Sequence, residues 1–149
     1  IGAILDKDTR AAARCAGVRD ELARNGHGPA AWTDLKQPSN VGDGAAAFAA
    51  LLATPGGIDA VAFSNDVLAL GALFECQKRG IRIPDDVALA GFGDLDFSAH
   101  CSPALTTLRP PREAIGAETA RLLGERLDGG EPAAKTVDLG CMLIEREST

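Results

Sequence analysis

The chain has 149 residues, 46% of them hydrophobic, 24% charged and 4% aromatic. That composition suits one globular domain and excludes a disordered segment. With 15 Lys and Arg against 21 Asp and Glu the formal charge is −6, which argues against direct DNA or RNA binding by this segment, because such affinity is built largely from basic side chains.

Residues 1–5 read as a strand. Residues 8–25 read as a helix with Ala11, Cys15, Val18 and Leu22 on one stripe and Gly26 as its stop. A short strand is expected at 30–32, a loop at 37–44, and an Ala-rich helix at 45–53. A strand at 58–63 follows, then Ser64, Asn65 and Asp66 as capping residues for a helix over 67–79. That helix carries Val67, Leu70 and Phe74 on one apolar face and closes on Gly80. A turn at 84–86 leads into a strand at 87–92, a loop at 93–103 and an extended piece at 105–108. Pro110 and Pro111 open a helix that carries Ile115, Thr119, Leu122, Leu123 and Leu127. A final strand is expected at 136–144. Strand and helix alternating in this way imply an α/β fold with a parallel sheet flanked by helices on both faces.

No run nears the ~18 apolar residues of a membrane span, and no signal peptide is recognisable. Ile1 is not Met and already lies in an apolar run, so the expectation is a piece of a longer, cytoplasmic protein. Cys15, Cys76, Cys101 and Cys141 are scattered, with no C-x-x-C and no His pair at zinc spacing. They read as free thiols in a reducing compartment, with no metal site and no cofactor.

In open α/β sheets ligands bind beyond the carboxyl ends of the strands. Three polar clusters fall there: Asp6, Asp8, Arg10 and Arg14 after the first strand; Ser64, Asn65 and Asp66 after the strand at 58–63; Gly93, Asp94 and Asp96 after the strand at 87–92. Arg10 and Arg14 are spaced i, i+4 on one helix face. Two planar donor forks there suit a carboxylate or polyhydroxyl ligand; the plainer alternative is solvated arginines paired with Asp6 or Glu21. Asn65 and Asp66 can act as caps, as ligand contacts or as both. Enzyme patterns are thin: there is no nucleophile elbow and no Walker motif. Gly91-Phe92-Gly93 is a fragment of a dinucleotide fingerprint in the wrong place. An Asp94/Asp96 acid–base pair and a triad of Ser64 or Ser98 with His100 lack supporting residues. The reading is a binding module, not an enzyme.

Longer strings carry a resemblance. Phe63-Ser64-Asn65-Asp66 with Leu68-Ala69-Leu70-Gly71-Ala72 resembles the F-x-x-N-D-x-x-A-x-G-A segment of the LacI/GalR family of transcriptional regulators. Gly80-Ile81-Arg82-Ile83-Pro84-Asp85-Asp86-Val87, Ala90-Gly91-Phe92-Gly93-Asp94, Pro103-Ala104-Leu105-Thr106-Thr107-Leu108 and the ending Leu143 to Thr149 match its later blocks in order. The variants Asp8-Thr9-Arg10, Phe74 to Gly80 and Val137-Asp138-Leu139-Gly140 look most like the gluconate-operon repressors.

The resemblance implies a periplasmic-binding-protein-like (type I) sensor fold in which a small effector, a sugar or sugar acid, sits between two lobes. Residues 1–104 would be the C-terminal lobe, 105–130 a crossover strand and helix belonging to the other lobe, and 131–149 a returning segment. Of the expected ligand-binding set, Asp8, Arg10, Arg14, Asn65, Asp66 and Asp94, the resemblance carries over Arg14, as the ligand-gripping arginine, and Asn65 and Asp66 at the cleft. At Gly93 the family often has an aspartate that binds sugar hydroxyls. Its loss here favours an anionic sugar acid such as gluconate. Operator DNA would be met by a helix–turn–helix domain outside this chain, and the regulator would be a homodimer with no membrane partner. The helix over 111–127 would pack on the absent lobe, so the isolated chain should dimerise or swap it. A transport receptor of the same fold and a small Rossmann-like enzyme are the competing readings.

Overall fold

The computed structural model describes residues 2–5, 9–27, 31–35, 40–130 and 136–149. One six-stranded sheet organises them, in the order β2-β1-β3-β4-β5-β6. Its strands are β1 (Gly2–Leu5), β2 (Ala31–Asp34), β3 (Ala60–Phe63), β4 (Ala88–Phe92), β5 (Thr106–Arg109) and β6 (Met142–Ile144). β1 to β5 pair in parallel, and β6 returns antiparallel on β5, with Leu108 opposite Leu143. The last strand is therefore much shorter than the 136–144 expected. The helices are α1 (Thr9–Arg24), α2 (Val41–Leu52), α3 (Asp66–Arg79) and α4 (Arg112–Leu127), with a 3-10 turn at Asp96–Ala99. None of the described helices is long and apolar enough to cross a membrane.

The step from β1 to β2 runs opposite to the later steps toward β5. Right-handed crossovers then require α1 on one face and α2 and α3 on the other. α2 and α3 do pack on one another, and they do so closely. A β-carbon on Gly71 would stand 2.1 Å from the Val41 carbonyl oxygen, and one on Gly44 would stand 2.3 Å from that of Leu68. This crossing explains two departures from expectation. α2 begins at Val41 and not at 45, because Asn40 caps it by accepting from the Asp43 N–H at 2.9 Å; Gly44, expected in a loop, is a contact point on α3. And α3 buries Leu68, Ala69, Ala72, Leu73 and Cys76, while Val67 and Leu70 are half-buried and Phe74 is 52% exposed. Gly71 meets the α2 backbone, and Leu68, Ala69, Ala72, Leu73 and Cys76 pack inward in place of Phe74. With Phe48, Leu51, Val61, Phe63, Leu89 and Leu105 they form the core.

Residues 105–109 belong to this same sheet: β5 pairs with β4, and Leu105 is fully buried. The strand expected to cross into another lobe thus stays here. α4, by contrast, contains no buried residue. The C-terminal residues pin β4 to β5. Leu89 donates its N–H to the Ser148 carbonyl at 2.8 Å, and the buried Ser148 Oγ accepts from the Thr106 N–H at 2.8 Å and donates to the Leu89 carbonyl at 2.6 Å.

Candidate functional site

The sheet order reverses between β1 and β3, and such a switch point opens a crevice at the strands' carboxyl ends. Arg14 on α1 spans it. Its Nη1 donates to the Ser64 carbonyl, just beyond β3, at 2.9 Å, and its guanidinium carbon lies 3.6 Å from the centre of the Phe92 ring at the end of β4. A planar cation over an aromatic face gains electrostatic attraction, and one fixed hydrogen bond sets the rotation of its donor fork. Glu21 pairs with Arg24 and Asn25. Arg10 lies exposed on the first turn of α1. Asp8 and Asp6 lie outside the described residues.

Asn65 is the N-cap of α3, its Oδ1 accepting the Leu68 N–H at 3.0 Å. This satisfies one of the orphan donors at the helix start. Asp66 is not a cap. It is fully buried, and its two oxygens take three donors: Thr107 Oγ1 at 2.6 Å on Oδ1, and Ser98 Oγ at 2.8 Å and the Leu95 N–H at 2.9 Å on Oδ2. A buried carboxylate is tolerated when it is so saturated. Asp66 therefore ties the start of α3 to the loop after β4 and to β5. Sequence reasoning missed this role; the signal was Gly91, where a β-carbon would stand 2.2 Å from Asp66 Oδ1. The glycine next to Phe92 makes room for Asp66 and has nothing to do with a nucleotide phosphate. Ser98 is likewise engaged with Asp66, while His100 is exposed.

Gly93 has φ of +134°, a region that side-chain-bearing residues rarely adopt. An aspartate would be strained there, which is the physical reason for the departure noted at this position. Asp94, expected at the ligand, instead meets arginines. Arg109 Nε donates to its Oδ2 at 2.5 Å and Arg146 Nη2 to its Oδ1 at 2.7 Å. Burial alone would raise its pKa, but these two guanidiniums hold it below the ordinary 3.8. Asp96 is exposed in the 3-10 turn.

Among the described residues no group of His, Cys, Asp and Glu could hold a metal ion. The cysteines are free thiols, and burial pushes Cys76 up to about 11.

The family model for the periplasmic binding protein-like domain matches residues 1–149. The chain is 40% identical to the HTH-type transcriptional regulator GntR of Pseudomonas aeruginosa, covering 100% of this chain and 43% of that protein. It superposes on the crystal structure of transcription regulator GntR from Chromobacterium violaceum with a TM-score of 0.90 at 39% identity, over 99% of this chain and 55% of that one. A LacI family transcriptional regulator from Silicibacter pomeroyi gives a TM-score of 0.86 at 30% identity, over 99% and 54%. The chain thus spans about half the length of the proteins it matches. It belongs to the periplasmic-binding-protein-like domain family, in the form carried by LacI-family transcriptional regulators.

Proposed function

We propose that this chain is the ligand-sensing part of a LacI-type transcriptional repressor, and that it binds a small sugar acid of the gluconate kind. The observation that carries the reading is Arg14, held across the switch point by the Ser64 carbonyl and the Phe92 ring. A guanidinium so oriented suits a carboxylate, which accepts from two of its N–H groups at once. In the described loop after β4, Gly93 carries no carboxylate for neutral sugar hydroxyls, and the charge of Asp94 is matched by Arg109 and Arg146. Asn65, with an amide that serves as donor and acceptor, suits hydroxyls of the same ligand.

In this reading 1–109 and the returning 131–149 form one lobe. α4 packs on a second lobe outside the chain, and operator DNA is met by a helix–turn–helix domain also outside it. The regulator acts as a homodimer. The −6 charge agrees with a sensor that leaves DNA contact to another domain.

The test is calorimetry on the full-length regulator. Gluconate binding is expected, with Arg14→Ala weakening it about 10–100-fold, the loss of a charge-assisted hydrogen-bond pair. Tight binding of a neutral sugar or a purine, with no response to gluconate, would overturn the sugar-acid assignment.

A further inference from the structure

Between β5 and β6 the chain makes an excursion that includes α4. Because α4 buries no residue, packing on this sheet does not fix its place. What holds the excursion is at its two stems. Arg109 is the last residue of the outgoing strand, and Arg146 lies two residues past the returning one. Each donates to a different oxygen of the same carboxylate, that of Asp94. Arg112, in the first turn of α4, donates through Nη2 to the carbonyls of Gly93 and Asp94. Arg146 also anchors itself on the Leu105 carbonyl through Nη1 at 2.7 Å. The side chains of Asp94 and Arg146 are 9% and 15% exposed, so their pairing is only weakly screened by solvent.

The other side of the same short loop faces the crevice. Phe92 lies under the Arg14 guanidinium, the Asp94 N–H donates to Thr107 Oγ1 at 3.3 Å, and the Leu95 N–H donates to buried Asp66. Asp94 itself is the one described non-glycine residue with positive φ, at 51°, a conformation that surrounding contacts must enforce. Here those contacts are the arginines of both stems. The loop therefore touches the ligand-facing arginine through Phe92 and the excursion through Asp94, two positions apart.

We infer that Asp94 is a positioning residue that couples the crevice to the excursion carrying α4, an inference that rests on the sensor reading above. A ligand that shifts Arg14 on Phe92 shifts the loop, and Asp94 carries the shift to both stems together. Without the carboxylate, Arg109 and Arg146 face each other as like charges and the stems separate from the loop.

The experiment uses the full-length regulator, gluconate and operator DNA, with hydrogen exchange as a readout independent of ligand. Asp94→Asn is expected to bind gluconate within about threefold of wild type while the gluconate-driven change in operator affinity shrinks about tenfold. Amide exchange should rise at 106–109 and 142–146. Arg109→Gln, altering a side chain 47% exposed, should act in the same direction, and the double variant should add little to either. Loss of gluconate affinity beyond about thirtyfold in Asp94→Asn would make it a ligand contact and overturn the proposal. So would an undiminished operator response in both variants. Should Asp94→Asn not fold, Arg109→Gln alone decides by the same criteria. If wild type ignores gluconate, the ligand assignment fails separately, and unchanged exchange at both stems in Arg109→Gln still overturns the coupling.

Discussion

The guanidinium of Arg14 stacks on the ring of Phe92, 3.6 Å from its centre, joining the second turn of α1 to the end of β4. The stack holds the arginine's plane while the Ser64 carbonyl holds its rotation. Phe92→Leu keeps the bulk and removes the π face, so it should lower effector affinity about 3–10-fold, the worth of one cation–π contact. Calorimetry on the full-length regulator measures it, and an unchanged affinity would show the ring to be filler.

Asp66 offers a second test. Asparagine has the same shape but only one acceptor oxygen, and its amide would meet the donors now served by Asp66. Asp66→Asn should cost about 2–4 kcal/mol, since buried groups left unsatisfied bear the full desolvation penalty. Urea denaturation reads this as a lower midpoint, and a loss under about 1 kcal/mol would mean the loop is held by something else.

The crossing of α2 and α3 makes opposite predictions for two helical glycines. Gly71→Ala sets a β-carbon against the backbone of α2 and should destabilise by about 3 kcal/mol through forced separation of the helices. Gly17 on α1 has open space around its β position. Gly17→Ala should stabilise by about 0.5–1 kcal/mol, because only helix propensity changes. Denaturant midpoints of the two variants should move in opposite directions.

Acid should act on Asp94. Its carboxyl is held below 3.8 in the folded protein, burial opposing and Arg146 and Arg109 prevailing. A depressed carboxyl stabilises fully above its unfolded pKa and loses that contribution as pH falls through the lower folded value. The stability gap between wild type and Asp94→Asn should therefore be constant near neutrality and narrow only below about pH 4. A gap that closes already between pH 7 and 5 would contradict the pairing.

The exposed side of α4 predicts self-association of the isolated 149-residue chain. Ile115, Leu123 and Leu127 are 45%, 57% and 79% exposed, and Met142 and Leu143 on β6 are 62% and 61% exposed. Covering such surface gains about 25 cal/mol per Å². Light scattering should show a dimer or larger species, and a monomer at high concentration would argue that the surface needs no cover.

The alternation of strand and helix was legible in the sequence because it is written in local periodicity. The stripe Ala11, Cys15, Val18 and Leu22 does face inward, with Ala11 and Cys15 buried, and Gly80 does close α3 in the left-handed conformation. The inward face of α3 was not legible. Hydrophobicity points to Phe74, but the near contact of two helix backbones selects Gly71 and its small neighbours. Such a preference exists only once α2 is in place.

Charge divides in the same way. Spacing alone put Arg14 at the amino end of a helix beyond a strand's carboxyl edge, and the structure finds it there, spanning the crevice. Asp94 was expected at the same sheet edge as a further ligand group. Its fate depended on Arg109 and Arg146, 15 and 52 residues further along the chain. An ion pair forms between side chains that are near in space, and those distances are set by strand order and by the path of the returning chain, which local periodicity does not encode.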